Sequence, residues 1–232
     1  MSDLSYIDRN IERVRRDIEA AAYSAGRSPG EIRLLAAIKY TTPEQVARLK
    51  DCGITLVGEN RVQQLLDHEK APGLEGFEVH FIGKLQCNKA KYTVGRVSLV
   101  ESLDSLRLAE ELDRCSERAG KITDVLCEIN SGREENKSGV LPEEAAEFCA
   151  SLAGFRSLRL RGFMTMAPIC EKKADYRKYF EETYRTALDI WEKTLHNIGK
   201  PLLSMGMSDS FAEAIAEGAD IVRVGRALFA EE

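Results

Sequence analysis

The 232-residue sequence predicts a (β/α)8 barrel, the TIM-barrel class of α/β fold, preceded by one extra N-terminal helix. Three observations point there. Eight short apolar runs alternate with stretches of helical character. They recur roughly every 27 residues, which suits a fold of about 250 residues. No linker or low-complexity stretch interrupts the alternation, so residues 1–232 read as a single domain. A doubly wound open sheet is the structural alternative.

Taken in order, Ser5 to Ala25 carries Ile7, Ile11, Val14, Ile18 and Ala21/Ala22 as a 3.6-residue stripe closed by Gly26 and Pro29, which is the extra helix. The first strand is Arg33 to Lys39, five consecutive apolar residues ending on a lysine. Thr42-Pro43-Glu44 then reads as an N-cap with proline at the first helical position, and that helix runs to Gly53. Strands at Thr55–Glu59 and Glu78–Gly83 follow, with a helix from Arg61 to Lys70 between them and a shorter helical stretch at Asn88–Tyr92. Ser98–Glu101 leads to a charged helix capped by Asp104 and ended by Gly120. Asp124–Asn130 leads, after a polar loop, to a helix opened by Pro142. Leu158–Met166 precedes a long helix from Tyr176 to His196, in which Phe180, Tyr184, Ala187 and Trp191 form a core-facing stripe. Leu202–Met207 leads into a helix starting at Asp209, and Ile221–Gly225 is the last strand.

A net charge of −5, a pI near 5.5 and interleaved acids and bases argue against nucleic acid or a membrane surface as partner. The opening Met-Ser-Asp-Leu-Ser has no apolar signal region and no run reaches membrane-span length, so the expected location is cytoplasmic. Six scattered cysteines and three scattered histidines lack metal-ligand spacing, and no metal site is expected.

Chemistry in a barrel gathers at the C-terminal ends of its strands, with phosphate sites common after strands seven and eight. Lys39 ends the first strand, where partial desolvation would favour its neutral, nucleophilic amine; a solvated head on a buried stem is the competing reading. Ser208 offers a hydroxyl, a helix starting near Asp209 offers free amides, and Gly225 lets backbone approach an anion. Each residue also has a plain turn or cap reading. Strand eight closes against strand one, so a phosphate held there lies within a small molecule's length of Lys39. Arg223 alternates with Val222 and Val224 and, facing the other way, needs a partner. A phosphorylated aldehyde with a ring acceptor, pyridoxal 5′-phosphate (PLP), would use all three features, with Lys39 as its Schiff-base partner.

Leu34-Leu-Ala-Ala-Ile-Lys39, Gly58-Glu-Asn60-Arg-Val-Gln63, His80-Phe-Ile-Gly-Lys-Leu-Gln-Cys-Asn-Lys89, Glu135-Asn-Lys-Ser-Gly139, Gly162-Phe-Met-Thr-Met-Ala-Pro168, Leu203-Ser-Met-Gly-Met-Ser208 and Val222-Arg-Val-Gly225 resemble, in order, the motifs of the pyridoxal phosphate homeostasis proteins. The resemblance implies a barrel like the N-terminal domain of alanine racemase, with PLP on Lys39. It further implies that Ser208 and the backbone at Gly225 hold the phosphate, that Arg223 faces the pyridine nitrogen, and that Asn60 and Met207 line the site. Two positions depart from the usual pattern: Ile38, where a small hydroxyl residue often precedes the lysine, and Ala230, where glycine is common.

An arginine cannot give up its proton, so the pyridine nitrogen beside it stays largely neutral and carbanion chemistry weak. Racemases of this type compensate with a second base from a further domain, which is not expected beyond Glu232. The leading expectation is a PLP holder that buffers or delivers the cofactor to apo PLP enzymes, as a monomer or weak homodimer. The alternatives are an amino-acid racemase using Lys39 as one base, and a cofactor-free aldolase in which Lys39 attacks a phosphorylated carbonyl compound. Lys84, Lys89 and Lys137 share the same rim and could accept the aldehyde transiently, although solvated surface charge is the simpler role. Tyr40 could flank the site, with packing as its simpler role.

Overall fold

Eight parallel strands close on themselves in chain order, β1 pairing with both β2 and β8, in a computed structural model that describes residues 4–70, 73–194 and 199–231. The strands are β1 (Arg33–Ala37), β2 (Leu56–Glu59), β3 (Glu78–Phe81), β4 (Leu99–Leu103), β5 (Thr123–Ile129), β6 (Leu158–Thr165), β7 (Leu202–Ser204) and β8 (Ile221–Val224). The helices are α1 (Ser5–Ser24), α2 (Pro43–Asp51), α3 (Val62–Lys70), α4 (Leu106–Arg118), α5 (Ala145–Leu152), α6 (Arg177–Thr194), α7 (Phe211–Ala216) and α8 (Arg226–Phe229). A 3-10 turn at Cys87–Tyr92 stands in for the helix after β3.

Side-chain alternation divides the apolar residues into an outer and an inner set. The outer faces of the strands, with Phe81, Cys127, Ile129 and Phe163, pack with the helices' apolar stripes into one large core. Inside the barrel, Leu35, Ala37, Leu56 and Ile221 fill one half, and Leu99, Leu126, Met164 and Leu202 the other. Packed layers of this kind make the barrel centre solid and leave its mouth as the place for ligands. Phe180 and Ala187 are buried and Tyr184 packs against the same core, as the α6 stripe predicts, whereas Trp191 is only partly buried.

Alpha-1 lies across α7 and α8, and Asn10 Nδ2 donates to the carbonyl oxygens of Leu228 (3.2 Å) and Ala230 (2.9 Å), tying down the segment after β8. The cap at Thr42 forms as predicted: its hydroxyl accepts the Gln45 amide while the Gln45 side chain accepts the Thr42 amide, a reciprocal capping box.

Element ends differ from the sequence reading in specific ways. The first strand stops at Ala37, because Ile38 to Thr41 form a turn in which both the amide and the hydroxyl of Thr41 donate to the Ile38 carbonyl. Asp104 does not cap α4; it accepts the Ser105 hydroxyl, and the extended Ser105 stands at the N-cap. Pro142 opens a turn closed by Glu144 N–H to Leu141, and α5 begins only at Ala145. The strand expected over Leu202–Met207 ends at Ser204, and Ser208 to Ser210 make a turn that delays α7 to Phe211. His196, expected to end the long helix, lies outside the described residues.

Candidate functional site

Lys39 follows β1 at the C-terminal mouth of the barrel and is exposed, which corrects the expectation of a partly desolvated amine. The reason is the turn after Ala37, which carries the chain outward at the rim. Tyr40 completes that turn in the left-handed region, φ 61°, an uncommon conformation for a bulky residue. Tyr40 is 70% exposed and its ring sits 5.6 Å from the Arg61 guanidinium, so its contact is a cation–π pair with the loop after β2, and the simple packing role does not hold.

A cleft of about 320 Å³ opens beside Lys39, lined by Ala37, Tyr40, Gln45, Gly225, Arg226 and Ala230 among others. Gly225 stands so close to β1 that a Cβ there would meet the Ala37 carbonyl oxygen at 3.2 Å, which leaves its backbone bare toward the cleft. The loop after β7 is clasped to α8: the Ala227 amide donates to Ser208 Oγ at 3.2 Å, and Arg226 pairs with Asp209. Gly206 makes this loop possible, since it takes φ 92° and a Cβ there would strike Ala214 at 2.6 Å. The hydroxyl and amide of the clasp and the bare glycine backbone together suit a phosphate; the amides expected from a helix start at Asp209 belong to a turn instead.

The structure therefore brings Lys39, Ser208 and Gly225 to the closing seam of the barrel, with Met207 half-exposed beside them on the β7 loop. Ile38 is fully buried on the outer face, so this departure packs among the helices, away from the cleft. Asn60 lines a neighbouring cleft of about 410 Å³ with Arg61, Lys84, Lys89 and Tyr92, and its Oδ1 is buried with no hydrogen-bond partner among the described residues. Lys84, Lys89 and Lys137 are exposed at the rim. A larger cleft of about 570 Å³ runs along α6 beside the β5 loop, lined by Ser131 and by two arginines that are already paired, Arg133 with Glu182 and Glu143 and Arg185 with Glu181.

Arg223 is 4% exposed, in register with Leu35, and reaches across the barrel interior. Its Nη1 donates to Ser204 Oγ at 2.7 Å and its Nη2 to the Thr165 carbonyl at 2.8 Å. Ser204 in turn donates to Glu101 at 2.6 Å, and Glu101 accepts from His80 Nδ1 at 2.6 Å. The other ring nitrogen of His80 lies 3.0 Å from Glu78, which pairs with Arg33 at the base of β1. A ladder of alternating charge thus runs through the barrel from its N-terminal face to Arg223. With a carboxylate at each nitrogen, His80 is held as an imidazolium: burial lowers its pKa, but the bonds to Glu101 and Glu78 outweigh it and raise the value above the ordinary one. Burial pushes Glu101 up, yet the bond from His80, with the charges of His80 and Arg223, holds it below the ordinary carboxylate value. The ladder fixes Arg223 as a rigid cation under the mouth.

Two further carboxyls were not singled out by the motifs. Glu59 is fully buried at the end of β2 against His68, and burial raises its pKa in spite of that partner. Glu128 is 3% exposed on the inner face of β5; burial, then the charge of Asp104, push it up to about 7 against Arg223 and Lys84.

A match to the family model "Alanine racemase, N-terminal domain" covers residues 3–232. The pyridoxal phosphate homeostasis protein of Aquifex aeolicus is 39% identical over 221 residues, which are 95% of this chain and 96% of that protein. Its Escherichia coli namesake is 36% identical, over 99% of this chain and 97% of the relative. The chain belongs to the pyridoxal phosphate homeostasis protein family. Among solved structures, this family member is similar to PipY of Synechococcus elongatus with PLP bound, at TM-score 0.83 and 27% identity over 97% of this chain and all (100%) of that one. Alanine racemase of Corynebacterium glutamicum, at TM-score 0.73 and 17% identity, shares the fold, and the chain covers 62% of its length. The fold expected from the sequence, an eight-stranded barrel like the N-terminal domain of alanine racemase with an added first helix, is the fold observed. No helix of the described residues is long and apolar enough to cross a membrane.

Proposed function

We propose that the protein binds pyridoxal 5′-phosphate as a Schiff base on Lys39 and holds it for release, contributing to PLP homeostasis by buffering or by delivery to apo PLP enzymes. The observation that carries this reading is the shared cleft: the Lys39 amine opens onto the same space as the bare backbone of Gly225, beside the clasp of Ser208 and Ala227. Relatives named for PLP homeostasis, and a similar structure solved with PLP, support it.

In this reading residues 1–232 act as one cofactor-binding domain. Ser208 and the backbone at Gly225 hold the phosphate, Arg223 lies toward the ring nitrogen, and Asn60 and Met207 flank the ligand. When bound, PLP supplies an aldehyde that condenses with amines and a ring that withdraws electrons. Arg223, pinned by Ser204 and Thr165 and always charged, donates hydrogen bonds without surrendering a proton. A ring nitrogen held by such a donor would stay unprotonated, which suits holding over carbanion chemistry. Exposure of Lys39 leaves its linkage open to water and to competing amines, which suits release. The protein works in the cytoplasm, as a monomer or weak homodimer.

Titration with PLP, followed by visible absorbance, tests the reading. The wild type gains a Schiff-base band that Lys39→Ala lacks, and alanine incubated in deuterated water exchanges its α-proton no faster than with free PLP. Absence of the band in the wild type refutes binding. Exchange at a catalytic rate refutes the holder and makes the protein a racemase.

A further inference from the structure

Glu128 is a buried titratable group that the proposed site does not use, and unlike Glu59 it faces the barrel interior. It follows Leu126 by two residues on β5 and so shares its inward face, at the upper end of the barrel interior. In the closed strand order β5 stands opposite β1, whose C-terminal end leads into the turn that holds Lys39. Glu128 is in register with Met164 on β6, one residue before Thr165, whose carbonyl receives Arg223. The Arg223 guanidinium therefore ends next to the strand position that Glu128 occupies.

The carboxyl of Glu128 accepts no hydrogen bond among the described residues, although it is 3% exposed. The charged groups acting on it are Asp104 after β4, Arg223 from β8 and Lys84 after β3. Glu101 on β4, another inward carboxylate, is committed to His80, Ser204 and Arg223. Burial and the like charge of Asp104 outweigh the opposing pull of Arg223 and Lys84 and favour the neutral acid, and a neutral acid carries an O–H to give.

We propose that Glu128 is a further residue of the cofactor site, a positioning residue whose protonated carboxyl donates a hydrogen bond to an anionic oxygen of the bound pyridoxal compound, so that loading the site takes up a proton. This deepens the PLP reading and rests on it. The proton balance is simple: PLP brings negative charge to the mouth, the added charge favours the neutral form of Glu128, and the proton comes from solvent. A carboxyl near 7 in the free protein is partly ionised at neutral pH. Affinity is then greatest below that value and falls as pH rises through it, the fall ending where the loaded site also loses the proton.

The experiment compares wild type and Glu128→Gln, which mimics the neutral acid, in PLP titrations from about pH 6 to pH 9, with calorimetry in two buffers of different ionisation enthalpy to count protons. The titrations of free PLP and of Lys39 are common to both proteins, so the difference between them isolates Glu128. The expected result is a several-fold loss of wild-type affinity across the window that Glu128→Gln does not share, with up to about one proton fewer taken up by the variant. Asp104→Asn removes the neighbouring like charge and moves the wild-type inflection to lower pH, a readout that a merely structural Glu128 would not produce. Superimposable profiles and equal proton counts for wild type and Glu128→Gln overturn the proposal while leaving PLP binding standing. Failure of the wild type to bind PLP at any pH overturns the functional reading itself.

Discussion

Replacing Glu128 by glutamine stabilises the cofactor-free protein in a pH-dependent way. In the unfolded chain this carboxyl ionises near its ordinary value of 4.5; in the fold it does so near 7, because burial and Asp104 oppose the charge. Between those values the unfolded state releases a proton that the folded state keeps, so the wild type loses stability as pH rises and carries the full penalty above 7. At about 1.36 kcal/mol per pH unit the penalty is about 3 kcal/mol. Since the side chain is almost wholly buried, solvent screening does not remove it. Glutamine keeps the shape and never ionises. Urea unfolding of both proteins at a series of pH values should give equal stability near pH 4.5 and an advantage for Glu128→Gln of about 3 kcal/mol at pH 8, or a rise of about 6–12 °C in Tm for a chain of this size. A difference between the two proteins that stays constant from pH 4.5 to pH 8 would refute the assignment of a raised carboxyl to this position.

Arg223→Met strips Glu101 and Ser204 of their cation and leaves the Thr165 carbonyl without its donor; denaturant unfolding should show a loss of about 3–5 kcal/mol, and a loss below 1 kcal/mol would mean that the ladder is not coupled. Gly225→Val sets a branched side chain against the Ala37 carbonyl, so PLP affinity should fall by at least about tenfold, with circular dichroism unchanged. Asn10→Ala frees the Leu228 and Ala230 carbonyls and should lower stability by about 1–3 kcal/mol. Because Ala230 lines the Lys39 cleft, the same variant should also speed PLP release, measured by transfer to a scavenging amine.

The frame was legible because each strand announces itself locally. Leu34 to Ile38 is apolar throughout because β1 is covered on both faces, and the Thr42-Pro43 cap marks its helix before any tertiary contact is known. The seam of Lys39, Ser208 and Gly225 followed from closing the barrel. The ladder was hidden because its members are far apart in sequence, Glu101 and Ser204 by 103 residues. A signal was still present: His80 stands between Val79 and Phe81 and Glu101 follows Leu99 and Val100, both at inward positions, and a charge inside a parallel strand demands a partner. Lys39 was misjudged for a different reason. Burial of a strand says nothing of the residue one step past its end, and the tight turn at Ile38–Thr41 decided the exposure of the amine.

Lys39 is the residue proposed to carry the cofactor. Borohydride reduction of the PLP-loaded protein, followed by proteolysis and mass mapping, tests it most directly. One stoichiometric pyridoxyl adduct is expected, on the peptide containing Lys39. A principal adduct on Lys84, Lys89 or Lys137, or a scatter over surface lysines with Lys39 unmodified, would contradict it.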